Sequence, residues 1–575
     1  MSRLPSASRE PRLGLPRVRV RVRVRAWARA VRWGHVAILG AIALVTSVVF
    51  GVTTASTDLS LGPHEARYDV TTDDTVTLDL GPLGTLQIDS PLPLALGLRV
   101  TVEEIPADVR AVDPARTIEA LGSDLQGYVQ FFSAPQASVA DAARALIHDA
   151  AWRSALAFTA LVACAVAFRV LLGAPRRAEL AAVLAPRRRT LVGTGLVALA
   201  VAVTSVSSLS ASERRPLGRA ASSVFDGTAL DGARITGRLA GVIDTYGGEV
   251  VEAYRANQQF YAAADGALVA AWTERAAGTR AREQARTLLQ TRPLDGSTPT
   301  PRPADVEPVV MLLVSDLHCN VGMAPLIRSV AELSGTDLIL NAGDSTINGT
   351  AVEQYCVTTF ARAAPAGVPI VVADGNHDSS ETSAQERRAG MTVLDGTTVT
   401  VAGVRILGDD DANQTRVGGG TSLSGTETAA EVSARLTRTA CEDGDVDLLL
   451  VHGPTVGDAA LESGCVPLQL SGHVHRRVGP VPFGLGVRYV NASTAGAAPG
   501  EPTVGPLRGT AQLTVLRFDP DSRRVLDHQV VEVRPDGSAS VGYRVPFPER
   551  EARVKVDDDG SLADSRPAPR PVAPS

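Results

Sequence analysis

"VVMLLVSDLHCN", residues 309–320, decides how the C-terminal half of this chain folds. An unbroken apolar run, Val309 to Val314, stops abruptly at a serine, an aspartate and a histidine. So short a run without alternation predicts a strand buried on both faces. The pattern returns in "TDLILNAGDS" (336–345), "VPIVVADGNHD" (368–378), "VDLLLVHGP" (446–454) and "PLQLSGHVH" (467–475). Helical stretches separate several of these runs, which predicts an α/β domain with crossover connections. In such sheets functional groups gather beyond the carboxyl ends of the strands. One folded sheet is therefore expected to bring all five polar clusters together.

Collected, the clusters supply Asp316, His318, Asp344, Asn376, His377, Asp378, His452, His473 and His475. Five of the chain's nine histidines are among them. Carboxylate and amide oxygens mixed with imidazole nitrogens suit Mn²⁺, Fe²⁺ or Zn²⁺, with Mn²⁺ first. No thiolate motif competes. The set exceeds one ion's needs, and a shared carboxylate would hold two ions about 3.5–4 Å apart.

The rest of the chain frames this domain. At 575 residues there is room for two or three domains, and a net charge of −6 gives no reason to expect nucleic acid as a partner. Three stretches have the length and apolarity of membrane-spanning helices: 34–53, 154–174 and 190–210. Arginines crowd residues 1–33 and the loop 175–189, which predicts both to be cytoplasmic. Arg153, Arg214, Arg215 and Arg219 blur the outer side. The balance predicts a multi-pass plasma-membrane protein with 54–153, and everything after about 211, outside the cytoplasm.

Residues 54–153 read as a small β-rich outer domain, because "DTVTLDLGPLGTLQIDS" alternates apolar and polar residues around Gly-Pro punctuation. A helix then leads into the second span. Residues 211–290 read as mostly helical, with Tyr254, Phe260, Tyr261 and Trp272 expected as ordinary core. A Pro-rich linker occupies 291–308, the chemistry-bearing domain 309–550, and a disordered tail 551–575. Cys164 falls inside a span, whereas Cys319, Cys356, Cys441 and Cys465 share the last domain, where an oxidising compartment permits two disulfides.

The strings "SDLH", "AGD", "GNHD", "VHGP" and "SGHVH", in this order, resemble the five motifs of the calcineurin-like metallophosphoesterases. The resemblance covers about 309–495 and extends through closing strands such as "AQLTVLRFD". It implies a four-layer αββα sandwich and hydrolysis of a phosphodiester or related ester by a water bridging two divalent ions. It further implies that Asp316, His318 and His475 hold one metal, that Asn376, His452 and His473 hold the other, and that Asp344 bridges both. His377 would protonate the leaving oxygen, and Asp378 would orient His377 from behind. Gly343, Gly375 and Gly472 are expected to permit the tight turns that aim these side chains.

Departures from the family's branches narrow the substrate. "GDSTING" and "DGNHD" lack the two arginines of the protein Ser/Thr phosphatases. Ile347 stands where purple acid phosphatases carry a metal-ligating tyrosine. The roughly eighty residues after the motifs are too few for a 5′-nucleotidase's second domain. An outer location without a basic groove disfavours the family's DNA nucleases. What remains is a small or lipid-linked phosphate ester, with specificity expected from the loops 379–390 and 409–430. A membrane receptor whose phosphoesterase-like domain only binds metal and ligand is the alternative. Because Cys441 and Cys465 precede strands that deliver His452 and His473, they are expected to pair. Cys319 and Cys356 would then brace the first two metal-bearing loops.

Overall fold

The structure is a computed structural model of the chain. It describes residues 36–61, 64–81, 84–103, 135–184, 219–220, 232–237, 239–291, 307–416, 419–498, 507–548, 554–556 and 562–564. Each of the five apolar runs forms a strand: Val309–Val314, Leu338–Asn341, Ile370–Val372, Leu448–Leu450 and Leu468–Ser471. They do not share one sheet. The first three run parallel in an eight-stranded sheet, where Val309–Val314 also pairs with antiparallel Ala511–Asp519. The last two run parallel in a six-stranded sheet, between Val404–Gly408 and Gly486–Val490.

Each of these strands is buried on both faces, and on one face the covering layer is the other sheet, not a helix. Met311, Leu313, Leu338, Leu340 and Val371 of the first sheet meet Ile406, Leu448, Leu450, Leu468 and Leu470 of the second. Leu312, Val314, Ile339 and Val372 face the opposite way, packing with helices Met323–Ser334 and Gln354–Ala361. Leu407, Leu449 and Val451 pack with helices Ala429–Asp443 and Asp458–Ser463. The order helix, sheet, sheet, helix is the layered sandwich expected.

Helix Leu239–Thr291 precedes this domain and contributes to its core. Tyr261, Ala264 and Leu268 are buried there, with Phe260 and Trp272 packed against them, which is the ordinary packing expected of these aromatics. The Tyr261 hydroxyl donates to Asn320 Oδ1 at 2.8 Å, two residues past His318.

Among the described residues two helices are long and apolar enough to cross a membrane, Val36–Thr53 and Val139–Leu171. The third expected span, 190–210, lies outside the described residues, as do the basic N-terminus and most of the linker. The two helices meet where a side chain on Gly51 would strike Ser154 Oγ and the Ala150 carbonyl. Just beyond, the Ser56 N–H donates to Asp149 Oδ2 at 2.9 Å, and Arg153 pairs with Asp149 at 2.6 Å. Arg153, which blurs the charge bias, is thus neutralised locally.

The β-rich unit is real as a sheet but not contiguous in sequence. Its strands lie in the order Ser56–Leu61, His64–Thr71, Gly97–Val102, Thr75–Asp79, Thr85–Asp89, Arg234–Ile235, Arg219–Ala220. The expected 54–153 domain is therefore completed by two short strands from 219–235. Ala142 of helix Pro135–Leu171 packs on this sheet with Ala66, Tyr68 and Val100. In the tail expected to be disordered, Val554–Val556 pairs with Leu562–Asp564, and the remainder lies outside the described residues.

Candidate metal centre

Beyond Val314 the backbone leaves the sheet and turns sharply through Asp316, His318 and Cys319, at φ of 53°, 41° and 55°. Asp344 (57°), His473 (72°) and His475 (52°) share this left-handed conformation, which is costly for residues with a Cβ. Neighbouring loops hold them in it. The Asp344 carbonyl accepts from the Leu317 and His318 N–H groups at 2.8 and 2.9 Å, and Asp316 N–H donates to the Gly343 carbonyl at 2.9 Å. Ser493 Oγ donates to the Asp316 carbonyl at 2.9 Å. Of the three glycines expected at turns, only Gly343 needs its φ of 91°. Gly375 and Gly472 are required for space, since a Cβ there would lie 2.2 Å from Asp344 Oδ1 and 2.7 Å from Asp316 Oδ2.

The side chains converge in two groups. Asp316, His318, Asp344 and His475 have donor atoms within 4.8 Å of one another, and so do Asp344, His452 and His473. His318 Nε2 faces His475 Nε2 at 3.0 Å, and His475 Nε2 lies 3.5 Å from Asp316 Oδ1. In the second group His452 Nε2 is 3.1 Å from Asp344 Oδ2, and Asn376 Oδ1 is 3.1 Å from His452 Nε2 and 2.9 Å from His473 Nδ1. His452 Nδ1 lies 2.7 Å from the Ala342 carbonyl, which leaves Nε2 for the centre. Asp316 Oδ2 is buried without a hydrogen-bond partner, so the cavity's chemistry calls for a cation beside it.

Burial and the two carboxylates pull the imidazoles of the site in opposite directions. Burial, partly offset by Asp344 and Asp316, lowers His318 to about 4, leaving its imidazole neutral near pH 7. At His452 burial opposes the charge, but the adjacent Asp344 carboxylate outweighs it and lifts the group to about 10. Burial also disfavours the charge on Asp344, yet His452, His318 and His377 together hold its carboxyl well below the usual range.

His377 and Asp378 do not form the pair expected of them. His377 Nδ1 lies 2.7 Å from the Ile347 carbonyl, and its N–H donates to Asp344 Oδ1 at 2.9 Å. The Asp378 carboxylate instead accepts from the Ser345, Thr346 and Gly375 N–H groups and the Thr346 hydroxyl. It pins the Asp344 loop to the Asn376 loop and does not touch the His377 ring. Burial, reinforced by Asp374 and Asp344, pushes its carboxyl up to about 7.

Three further supports escaped the sequence reading. Glu353 accepts from the N–H groups of Ile347, Asn348 and Thr350, shaping the segment that orients His377. Its signal was the capping-box string "TAVE", 350–353. "VRYVNAST", 487–494, ends in a polar cluster that delivers Ser493, but Arg488 breaks its apolar run and hides it from the pattern. Arg416 donates to the carbonyls of Asn376, His377 and Asp378 from the hairpin Asn413–Arg416/Gly420–Leu423. The segment 379–390, expected as a specificity loop, is largely helix Ser380–Arg388, capped by Ser379 and burying Thr382, Gln385 and Glu386.

Both expected disulfides form, Cys319–Cys356 with Cα atoms 5.1 Å apart and Cys441–Cys465 at 4.9 Å. Closing a loop across 37 residues stabilises by about 3–4 kcal/mol in the chain-entropy account. Unfolded but unreduced protein should therefore offer only Cys164 to an alkylating reagent. Mass mapping that finds Cys319 or Cys441 labelled would refute the pairing.

Residues 310–477 match the family model described as calcineurin-like phosphoesterase. No curated protein matches the chain. Among solved structures, a Haemophilus influenzae NAD nucleotidase is 15% identical, with 45% of this chain and 54% of that one covered and a TM-score of 0.26. The chain thus spans about half that nucleotidase's length. A dimetal phosphatase from Danio rerio is 14% identical (42% and 100% covered, TM-score 0.28). A phosphoesterase from E. coli is 13% identical (42% and 100% covered, TM-score 0.24). The family match falls on the segment that carries both donor groups, so residues 310–477 form a calcineurin-like phosphoesterase domain with a candidate metal site.

Proposed function

We propose that this hydrolase is anchored in the plasma membrane and uses two divalent ions to cleave a phosphodiester, or a related small or lipid-linked phosphate ester, outside the cytoplasm. The observation that carries the dinuclear reading is Asp344, the carboxylate common to both donor groups. Asp316, His318 and His475 would hold one ion, Asn376, His452 and His473 the other, and Asp344 both. Two such ions supply Lewis acidity to the phosphoryl oxygens and lower the pKa of water between them. The mixed oxygen and nitrogen donors favour Mn²⁺, with Fe²⁺ and Zn²⁺ as substitutes. His377 would give a proton to the leaving oxygen, its ring held through Nδ1 by the Ile347 carbonyl and edge-on to His318 at 5.1 Å. Asp378 acts as a positioning residue through the loop that carries Asp344.

Pairing in the outer sheet supports the topology. Thr85 N–H donates to Thr236 Oγ1 at 2.9 Å and Leu86 pairs with Ile235, so these segments share one side of any membrane. Helix Val139–Leu171 lies between them in sequence. Once it crosses, the chain must cross back before Arg234, and 190–210 is apolar enough to do so. The Asp141–Arg362 pair at 3.2 Å supports putting the catalytic domain on that same side.

Purified protein should hydrolyse a chromogenic aryl phosphodiester with added Mn²⁺, lose the activity to a chelator, and regain it when Mn²⁺ is returned. Inertness toward diesters, monoesters and pyrophosphates with every divalent ion would overturn the reading. An alkaline-phosphatase fusion near residue 300 should be active and one near residue 182 silent. The reverse would put catalysis in the cytoplasm.

A further inference from the structure

The outer sheet ends in an apolar turn that no described residue of the chain covers. Pro91, Leu92, Pro93 and Leu94 are all exposed, with Leu92 at 44% and Leu94 at 90%. Four consecutive exposed apolar residues are unusual on a surface that meets only water. The turn is also built to hold its shape. Leu94 and Ala95 take φ of 64° and 56°, a conformation that residues with a Cβ adopt at a cost. Ser90 Oγ donates to the Leu96 carbonyl at 2.6 Å and accepts from Leu92 N–H at 3.2 Å. Asp74 N–H donates to the Ala95 carbonyl at 3.2 Å, and Ser90 N–H to the Asp74 carbonyl at 2.9 Å. Those bonds tie both ends of the turn down and leave the leucines pointing away from any core.

Register shows which end of the sheet this is. Ser56 follows the apolar helix Val36–Thr53 almost at once, and its N–H is bound to Asp149 on the second apolar helix. Ser56 lies opposite Asp69, and Thr71 lies opposite Gly97. Thr75, whose strand runs parallel to Gly97–Val102, lies opposite Asp89. The segment from Asp89 to Gly97 therefore projects from the end of the sheet where both apolar helices depart. Strands in a sheet are about 4.8 Å apart, so the turn stands two to four strands, roughly 10–19 Å, to the side of the helices.

We propose that the Pro91–Leu94 turn is an interfacial membrane anchor, its leucines entering the boundary between headgroups and acyl chains of the outer leaflet. Asp74 and Asp89 are exposed beside it, so the contact is apolar, made to the lipid interface in general, and does not select anionic headgroups. With two helices on one side and this turn on the other, the outer domain gains a second support and a fixed tilt. The inference rests on the membrane-anchored reading above, and the test separates the two.

The experiment is nitroxide labelling of the full-length protein in zwitterionic phosphatidylcholine nanodiscs, on a C164S background. Single labels go at L94C in the turn, at V166C on the exposed face of helix Val139–Leu171, and at L423C on the catalytic domain's exposed hairpin. The expected result is that labels at 94 and 166 collide readily with oxygen and lose contact with a water-soluble nickel chelate, whereas the label at 423 meets the chelate freely. A label at 166 in lipid with one at 94 fully open to the chelate would overturn the anchor alone. A label at 94 shielded from both oxygen and chelate would mean a protein partner, and would equally overturn it. A label at 166 open to the chelate would remove the membrane reading and the anchor together.

Discussion

Asp344→Asn should abolish hydrolysis and take most of the bound metal with it. The Asp344 carboxylate lies 3.1 Å from His452 Nε2 and 3.8 Å from His318 Nε2, so its negative charge serves both donor groups. The amide keeps the size and can still accept from His377 N–H at Oδ1, so the loop has no steric reason to rearrange. What it loses is the charge shared between two cations, and metal contributions of several kcal/mol correspond to at least about 10³-fold in rate. Elemental analysis should fall from near two ions per chain to below one, with the disulfides and fold intact. Activity and two ions retained in the variant would refute Asp344 as the bridge.

His377→Ala should separate chemistry from metal binding. The ring hangs from the Ile347 carbonyl, and it is the His377 backbone, not its side chain, that binds Asp344. Alanine preserves that backbone bond. The metal content should therefore stay near the parent level while turnover drops about 10²–10⁴-fold, the range for a lost general acid. A substrate whose leaving group needs no proton, such as a nitrophenolate ester, should lose much less than an alkyl ester. Equal losses on both substrates would mean that His377 acts on something other than the leaving oxygen.

Much of the metal centre was legible because its physics is local. A strand that ends at a carboxylate or imidazole announces itself through the break in apolar character, and five such breaks named every residue of the two donor groups. Asp378 was misread for the opposite reason. Adjacency to His377 suggested a side-chain pair, but its partners are backbone N–H groups of Ser345 and Thr346, more than thirty residues away. Backbone partners carry no side-chain signature. The division into two sheets was equally hidden, because a run such as "LLL" at 448–450 reads the same whichever sheet receives it. Strands Arg219–Ala220 and Arg234–Ile235, two residues each, are too short to show periodicity at all.

Helix Leu239–Thr291 limits how this protein can be cut. The Pro-rich stretch after it looks like a natural place to begin a soluble catalytic fragment. Yet Tyr261, Ala264 and Leu268 sit upstream of that stretch, in the same core as Leu312 and Val314. A fragment starting at 291 would open that core to water, and recombinant work should start at or before Leu239. The seven-stranded sheet sets a second limit, because Thr85 is bonded to Thr236 across a separation of 151 residues. A piece ending near 103 would leave Thr85–Asp89 as an unprotected edge, ready to pair with other chains. For expression and engineering, the smallest unit built on this sheet is therefore one that also carries 219–236.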